Sequence, residues 1–162
     1  MSRDTVHFLL LGEEPLLMRC AEALLARRHT IDAIVTRADP IRRWAAQQGI
    51  PVLEREALSK HVQQGTTDVL ASITYPALIP SDVLSAVKLA AVNFHDGPLP
   101  RYAGMNGSAW ALLQGETRHA IVWHHLTAGL DDGDILEWRD VVIEPRETSV
   151  SLNMKNAALA LE

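Results

Sequence analysis

One cysteine, Cys20, in 162 residues leaves no partner for an internal disulfide and no set of thiolates for a zinc cluster. Such usage suits a reducing compartment. Positive charge is not in excess either. Fifteen Lys and Arg against twenty Asp and Glu give a net charge of −5. That balance holds no electrostatic reserve for a nucleic-acid backbone or an anionic membrane, so the expected partner is a small molecule or a protein. Long hydrophobic runs are missing. The early apolar run 6–11 falls far short of the roughly 18 residues a membrane span needs, and no small-residue cleavage site follows it. Neither export nor anchoring is expected, and the cytoplasm is the expected compartment. Internal repeats, low-complexity segments and linkers are also lacking.

Hydrophobic residues at 48% and charged residues at 22% are close to the globular average, which predicts a single domain over residues 1–162. Residues 6–11 read as a buried strand, and Pro15 is placed to open a helix, where its missing N–H is no loss. Leu17, Cys20, Ala21, Leu24 and Leu25 recur at helical spacing, with Arg19, Glu22, Arg27 and Arg28 opposite, so one face packs on a sheet and Cys20 belongs to the core. Residues 31–35 form a second apolar run. Asp39-Pro40 reads as an N-cap with proline in the first turn, and Gly49 closes that helix. A short strand at 50–53, a short polar helix at 55–61 and a buried run at 68–73 continue the alternation. With no hairpin dipeptide in the first ninety residues, the fold class is α/β, a doubly wound, mostly parallel sheet covered on both faces. Beyond residue 115 the pattern changes. Runs 121–126 and 135–143 read as strands joined by a tight polar segment, 131–134, which predicts an antiparallel C-terminal addition. Residues 147–162 read as a helix with Val150, Met154, Ala157 and Ala158 on one side. It has no stop signal, as expected of a domain cut from a longer enzyme.

The first loop, Leu11-Gly12-Glu13-Glu14-Pro15, lacks the Gly-x-Gly-x-x-Gly that would let backbone approach a pyrophosphate, and it sets two carboxylates where phosphate charge would sit. No P-loop, Gly-x-Ser-x-Gly elbow or His-Glu-x-x-His occurs.

Polar residues concentrate instead after the apolar run 89–92, in a segment that begins Asn93-Phe94-His95-Asp96-Gly97. Ligands of open α/β sheets bind just beyond the carboxyl ends of strands. Strand side chains alternate, so Asn93 and His95 point the same way and can converge on one atom while Phe94 packs. Two N–H groups aimed together suit a developing oxyanion. On spacing alone the pair reads equally as a strand terminus followed by a hydrogen-bonded turn histidine. A second cluster, 123–135, holds His124, His125, Asp131, Asp132 and Asp134. His124 and His125 are adjacent on a strand and face opposite sides, and Asp-Asp-Gly-Asp lacks calcium-loop spacing, so no metal is expected. A carboxylate here could hold a histidine ring for acid-base work, and His95 is the candidate.

Asn93-Phe94-His95, then Leu99-Pro100 and Gly104, then Leu130-Asp131-Asp132-Gly133-Asp134-Ile135, with Gln114-Gly115-Glu116-Thr117 before the second strand, together carry a resemblance. Over nearly its whole length the sequence resembles the folate-dependent formyltransferases, a family that includes methionyl-tRNA, glycinamide-ribonucleotide and amino-sugar formyltransferases. The resemblance implies a Rossmann-like formyltransferase fold. It also implies transfer of a formyl group from 10-formyltetrahydrofolate to an amine without a metal, with Asn93, His95 and Asp131 as catalytic residues. His124 matches a histidine of the purine-pathway branch. Residues 75–80 are similar to the segment that receives the pterin ring, although alone they read as an ordinary strand-to-helix turn with Pro80 starting the helix. Residues 127–131 resemble the loop that closes over the pterin. The implied folate contacts are Tyr75, Ala77, Leu78, Val92, His124, Thr127 and Leu130, and the implied contacts to the acceptor or the folate tail are Asp96, Arg101 and Tyr102.

Asp96-Gly97-Pro98 departs from the family's usual Pro-Ser-Leu, removing a hydroxyl and adding a carboxylate. The form His-Asp-Gly-Pro-Leu-Pro-Arg-Tyr-Ala-Gly looks most like formyltransferase domains within nonribosomal peptide and polyketide synthetases, which implies an aminoacyl acceptor on a carrier protein. Two alternatives stand beside this reading: a hydrolase of the same fold releasing formate, and a non-catalytic folate-binding or docking module of a multidomain synthetase. Transfer-RNA formylation is disfavoured by the acidic balance.

Overall fold

The computed structural model describes residues 5–162. They divide into two compact units, one up to Val92 and one from Asn93 onward.

In the first unit, strands β1 (His7–Leu11), β2 (Thr30–Val35), β3 (Val52–Leu53) and β4 (Val69–Ile73) alternate with helices α1 (Leu16–Ala26), α2 (Asp39–Gln47), α3 (Leu58–Val62) and α4 (Ser81–Ala86). A 3-10 turn, Arg55–Ala57, leads into α3. The strands are parallel in the order β3-β2-β1-β4. The order reverses beside β1, and in such sheets the reversal opens a crevice at the carboxyl ends of the strands. Leu9, Leu10, Leu11, Ile34, Leu70 and Ile73 fill the sheet core, with Leu17 and Ala21 of α1 against it. Cys20 is buried there, and loss of water pushes its thiol up to about 12 despite the opposing charge of Arg19. It is an inert core thiol. Leu25 is exposed, and Leu16 completes the buried face of α1 instead. Asp39 is not the cap of α2. It is the first helical residue, Ala38 takes the cap position, and Thr36 Oγ1 accepts from the Ala38 N–H.

Strand β5 (Ala90–His95) carries the boundary between the two units, and β6 (Arg118–His125) follows in the second. In the second unit β6 pairs antiparallel with β7 (Ile135–Val142), as the alternating runs predict. Helix α5 (Gly107–Leu113) has no counterpart in the sequence reading, because seven residues opening at a left-handed Asn106 are too few to show a period. Helix α6 (Ser149–Leu159) starts at a capping box between Thr148 and Ser151. Its inner stripe is Leu152 and Asn156. Val150 and Met154, expected on the packed side, are exposed, since residues two apart on a helix lie on different faces.

Candidate active site

Asn93 and His95 lie within the last three residues of β5, with Phe94 between them turned to the other side and tilted against Trp123 at 5.4 Å between rings. The loop joining β6 to β7 brings Asp131 to the same pair. Asp131 Oδ2 lies 3.5 Å from His95 Nδ1 and accepts the Gly104 N–H at 2.8 Å. Its Oδ1 lies 3.5 Å from both Asn93 Nδ2 and His124 Nε2. The backbone of Asp131 is left-handed, φ 49°, a conformation that Asp and Asn tolerate better than most residues.

The surrounding acceptors determine how each polar group is turned. The carbonyl of Tyr102 accepts from His95 Nε2 at 2.6 Å, so Nε2 carries the hydrogen of the neutral ring and Nδ1, facing Asp131, is its bare nitrogen. In the same way the His125 carbonyl accepts from His124 Nδ1 at 2.9 Å, leaving His124 Nε2 as an acceptor for Asn93 Nδ2 at 3.0 Å. Both neighbours of the Asn93 amide nitrogen therefore need a donor, and its two hydrogens serve His124 and Asp131. This differs from the expectation that Asn93 and His95 present free N–H groups to one atom. In the structure each donor already has an internal partner, and the bond from Asn93 to Asp131, at 3.5 Å, is the weakest.

Burial pushes the Asp131 carboxyl up, but the polar groups gathered on it, the Gly104 N–H and the nearby His95 among them, outweigh it and hold the group below the usual carboxylate range. Asp131 is thus ionised at neutral pH, beside a histidine whose free nitrogen faces it. A carboxylate, an imidazole and an amide within hydrogen-bond reach can move a proton and polarise a carbonyl.

Other residues singled out from the sequence are placed as follows. His124 is fully buried in the cluster and touches Asn93 and Asp131. Tyr102 is buried, and its hydroxyl lies 2.8 Å from Gln114 Oε1 and 3.1 Å from Glu116 Oε1. Its side chain braces the turn, and its backbone carbonyl does the work on His95. Arg101 pairs with Glu116 and lies over the Tyr102 ring at 5.4 Å. Asp96 is half-buried. Thr127 is exposed and donates to Asp132, and Leu130 is exposed near Gly104. Tyr75, Ala77, Leu78 and Val92 belong to the first unit. There, Tyr75 and Ala77 line a cleft of about 140 Å³ with Glu13, Arg37 and Arg55 at the carboxyl ends of the parallel strands. Leu78 is exposed and its carbonyl accepts from Arg55, while Val92 is half-buried on β5.

Sequence reasoning missed His119, the Tyr102 carbonyl and the Gly104 N–H. Two of these are backbone groups with no side-chain signature. His119 gave a signal only as one of three histidines within seven residues.

Among known proteins, a methionyl-tRNA formyltransferase of Myxococcus xanthus is 33% identical over 77% of this chain, which spans 42% of that enzyme's length. A glycinamide ribonucleotide transformylase of Symbiobacterium toebii, 20% identical, superposes with a TM-score of 0.86 over 97% of this chain and 82% of its own. A formyltetrahydrofolate deformylase of Pseudomonas syringae, 19% identical, gives 0.83 over 97% of this chain and 57% of its own. At these identities the two structures show a shared fold. The family model described as formyl transferase matches residues 21–161, nearly the whole chain, and with it the chain belongs to the formyl transferase family.

Proposed function

We propose that this domain transfers a formyl group from 10-formyltetrahydrofolate to an amine, with the Asn93–His95–Asp131 cluster as its catalytic site. The observation that carries the reading is the ionised Asp131 held against His95 Nδ1, in a chain of this family. The neutral amine attacks the formyl carbon and a C–N bond forms. The Asn93 N–H now spent on a 3.5 Å contact with Asp131 is inexpensive to redirect and turns to the formyl oxygen as negative charge develops there. His95 Nδ1 takes the proton from the attacking nitrogen and returns it to the folate nitrogen as that C–N bond breaks. Asp131 stabilises the imidazolium in between. His95 Nε2–H stays on the Tyr102 carbonyl throughout, which keeps the ring from turning. His124, assigned from the sequence as a folate contact, acts here by orienting Asn93.

Tyr75, Ala77, Leu78 and Val92 in the first unit, and separately Thr127 and Leu130 in the second, are folate contacts in this reading, each set supported by the family resemblance of its own segment, 75–80 or 127–131. The acceptor is an aminoacyl unit on a carrier protein in the cytoplasm, with Asp96 and Arg101 as its contacts. Support for this comes from the segment 95–104 and the acidic balance of the chain.

The test is a formyl-transfer assay with 10-formyltetrahydrofolate against free amines and carrier-bound aminoacyl units, run beside calorimetric titration with a reduced folate. Transfer to a carrier-bound amine supports the full reading. Formate release without an acceptor supports the hydrolase. Folate binding with no turnover supports the docking module, and the absence of folate binding removes all three.

A further inference from the structure

Strand β6 carries two fully buried histidines. His124 belongs to the cluster, whereas His119 plays no part in the reaction as derived. Its Nε2–H donates to the Asp96 carbonyl at 2.8 Å, and its Nδ1 is buried with no hydrogen-bond partner among the described residues. Leaving a buried nitrogen unpaired lowers stability, so the position calls for an explanation other than stability. Loss of water pushes the His119 pKa down, which keeps the ring neutral with its single hydrogen committed to Asp96.

Asp96 directly follows His95, and the backbone around it is tightly enclosed. A Cβ at Gly97 would come within 3.0 Å of Tyr102 Cβ and 3.3 Å of His95 Nε2. A Cβ at Gly107 would come within 3.0 Å of the Asp96 oxygen. The Tyr102 N–H closes the turn on the Pro98 carbonyl, and the Tyr102 ring lies tilted against His119, 6.2 Å between centroids. The turn leaving His95 therefore comes back to it and delivers the Tyr102 carbonyl to His95 Nε2. His119 is the side chain by which β6 holds that turn.

We propose that His119 is a positioning residue for His95. By holding the Asp96 carbonyl it sets the turn whose Tyr102 carbonyl fixes the ring, and so aims His95 Nδ1 at Asp131. A ring with one N–H and a flat apolar face meets both demands of the place, a donor to Asp96 and packing on Tyr102, without burying a charge. Its importance for turnover rests on the formyl-transfer reading, but its geometric part does not.

The experiment compares wild type, His119→Phe, His119→Gln and Gly107→Ala by nitrogen-proton NMR of the imidazoles and by formyl-transfer kinetics. In the wild type His95 Nε2–H is expected as a downfield, slowly exchanging signal. His119→Phe keeps the packing and removes the donor. It should shift or broaden that signal and lower kcat by roughly 10- to 100-fold, with the donor KM within about twofold, as for a misaimed catalytic group. His119→Gln, which retains an N–H donor, should recover most of the loss. Gly107→Ala presses on the same carbonyl from the other side and should disturb the same signal, so the test survives if His119→Phe does not fold. An unchanged His95 signal in folded His119→Phe or in Gly107→Ala overturns the proposal, as does a kcat within twofold of wild type in His119→Phe. Should the wild type itself transfer no formyl group, the functional reading fails while the NMR arm still decides whether His119 positions His95.

Discussion

Replacing Asp131 by Asn isolates one charge. Asn tolerates the left-handed backbone at this position as well as Asp does, and its amide oxygen can go on accepting the Gly104 N–H, so the fold should be little affected. What disappears is the negative charge 3.5 Å from His95 Nδ1. At an effective dielectric of about 20, a pair of unit charges at that distance is worth about 5 kcal/mol. The Asp131 side chain is only 11% exposed, so water screens little of it. A loss of roughly 3–5 kcal/mol of imidazolium stabilisation corresponds to roughly two to four orders of magnitude in rate. Single-turnover transfer from 10-formyltetrahydrofolate, with folding checked by circular dichroism, reads this directly. Asp132→Asn is the internal control. Asp132 is exposed and its carboxylate accepts from Thr127 within the same loop, so its loss should change the rate by less than about tenfold. An Asp131→Asn protein that binds reduced folate and transfers within tenfold of wild type would refute the role given to the charge. Equal losses in both variants would show that the loop, not the carboxylate, matters.

Tyr102→Phe removes a hydroxyl shared between Gln114 and Glu116 but leaves the carbonyl that holds His95. The denaturant midpoint should record a loss of about 1 kcal/mol with transfer changed only a few-fold, and a rate loss above about tenfold would return the hydroxyl to substrate contact. Gly12→Ala would put a Cβ 2.0 Å from the Ile73 carbonyl oxygen and 2.8 Å from Leu17 Cδ1, so it should destabilise by about 3 kcal/mol or more in thermal or urea unfolding. Stability should fall in acid in two steps. His119 has its pKa lowered by burial, so its share is complete above its ordinary 6.5 and is lost as pH falls from there through its folded value. Asp131 is held below its ordinary 3.8, and its share is lost only in the more acid window beneath that value. Melting curves across pH should therefore lose the first step in His119→Phe and show a smaller second step in Asp131→Asn, the remainder belonging to Glu147, which Lys155 and Ser151 also hold below its ordinary value.

Much of this molecule was legible before folding was considered. The buried runs at 6–11, 31–35 and 68–73 could be nothing but strands between amphipathic helices, and they are β1, β2 and β4 of a parallel array. The switch after residue 115 to two long alternating runs is the antiparallel pair β6 and β7. Asn93 and His95 share a side because the strand repeat is two, and Cys20 is core because the helix repeat places it there. These are consequences of short-range periodicity, which a linear sequence carries in full. It does not carry the direction of a hydrogen bond. Which nitrogen of His95 bears the proton, which way the Asn93 amide is turned and why His119 is buried all depend on carbonyls at Tyr102, His125 and Asp96. A carbonyl is the same at every position of the chain, and only tertiary structure decides which ones arrive beside a given ring.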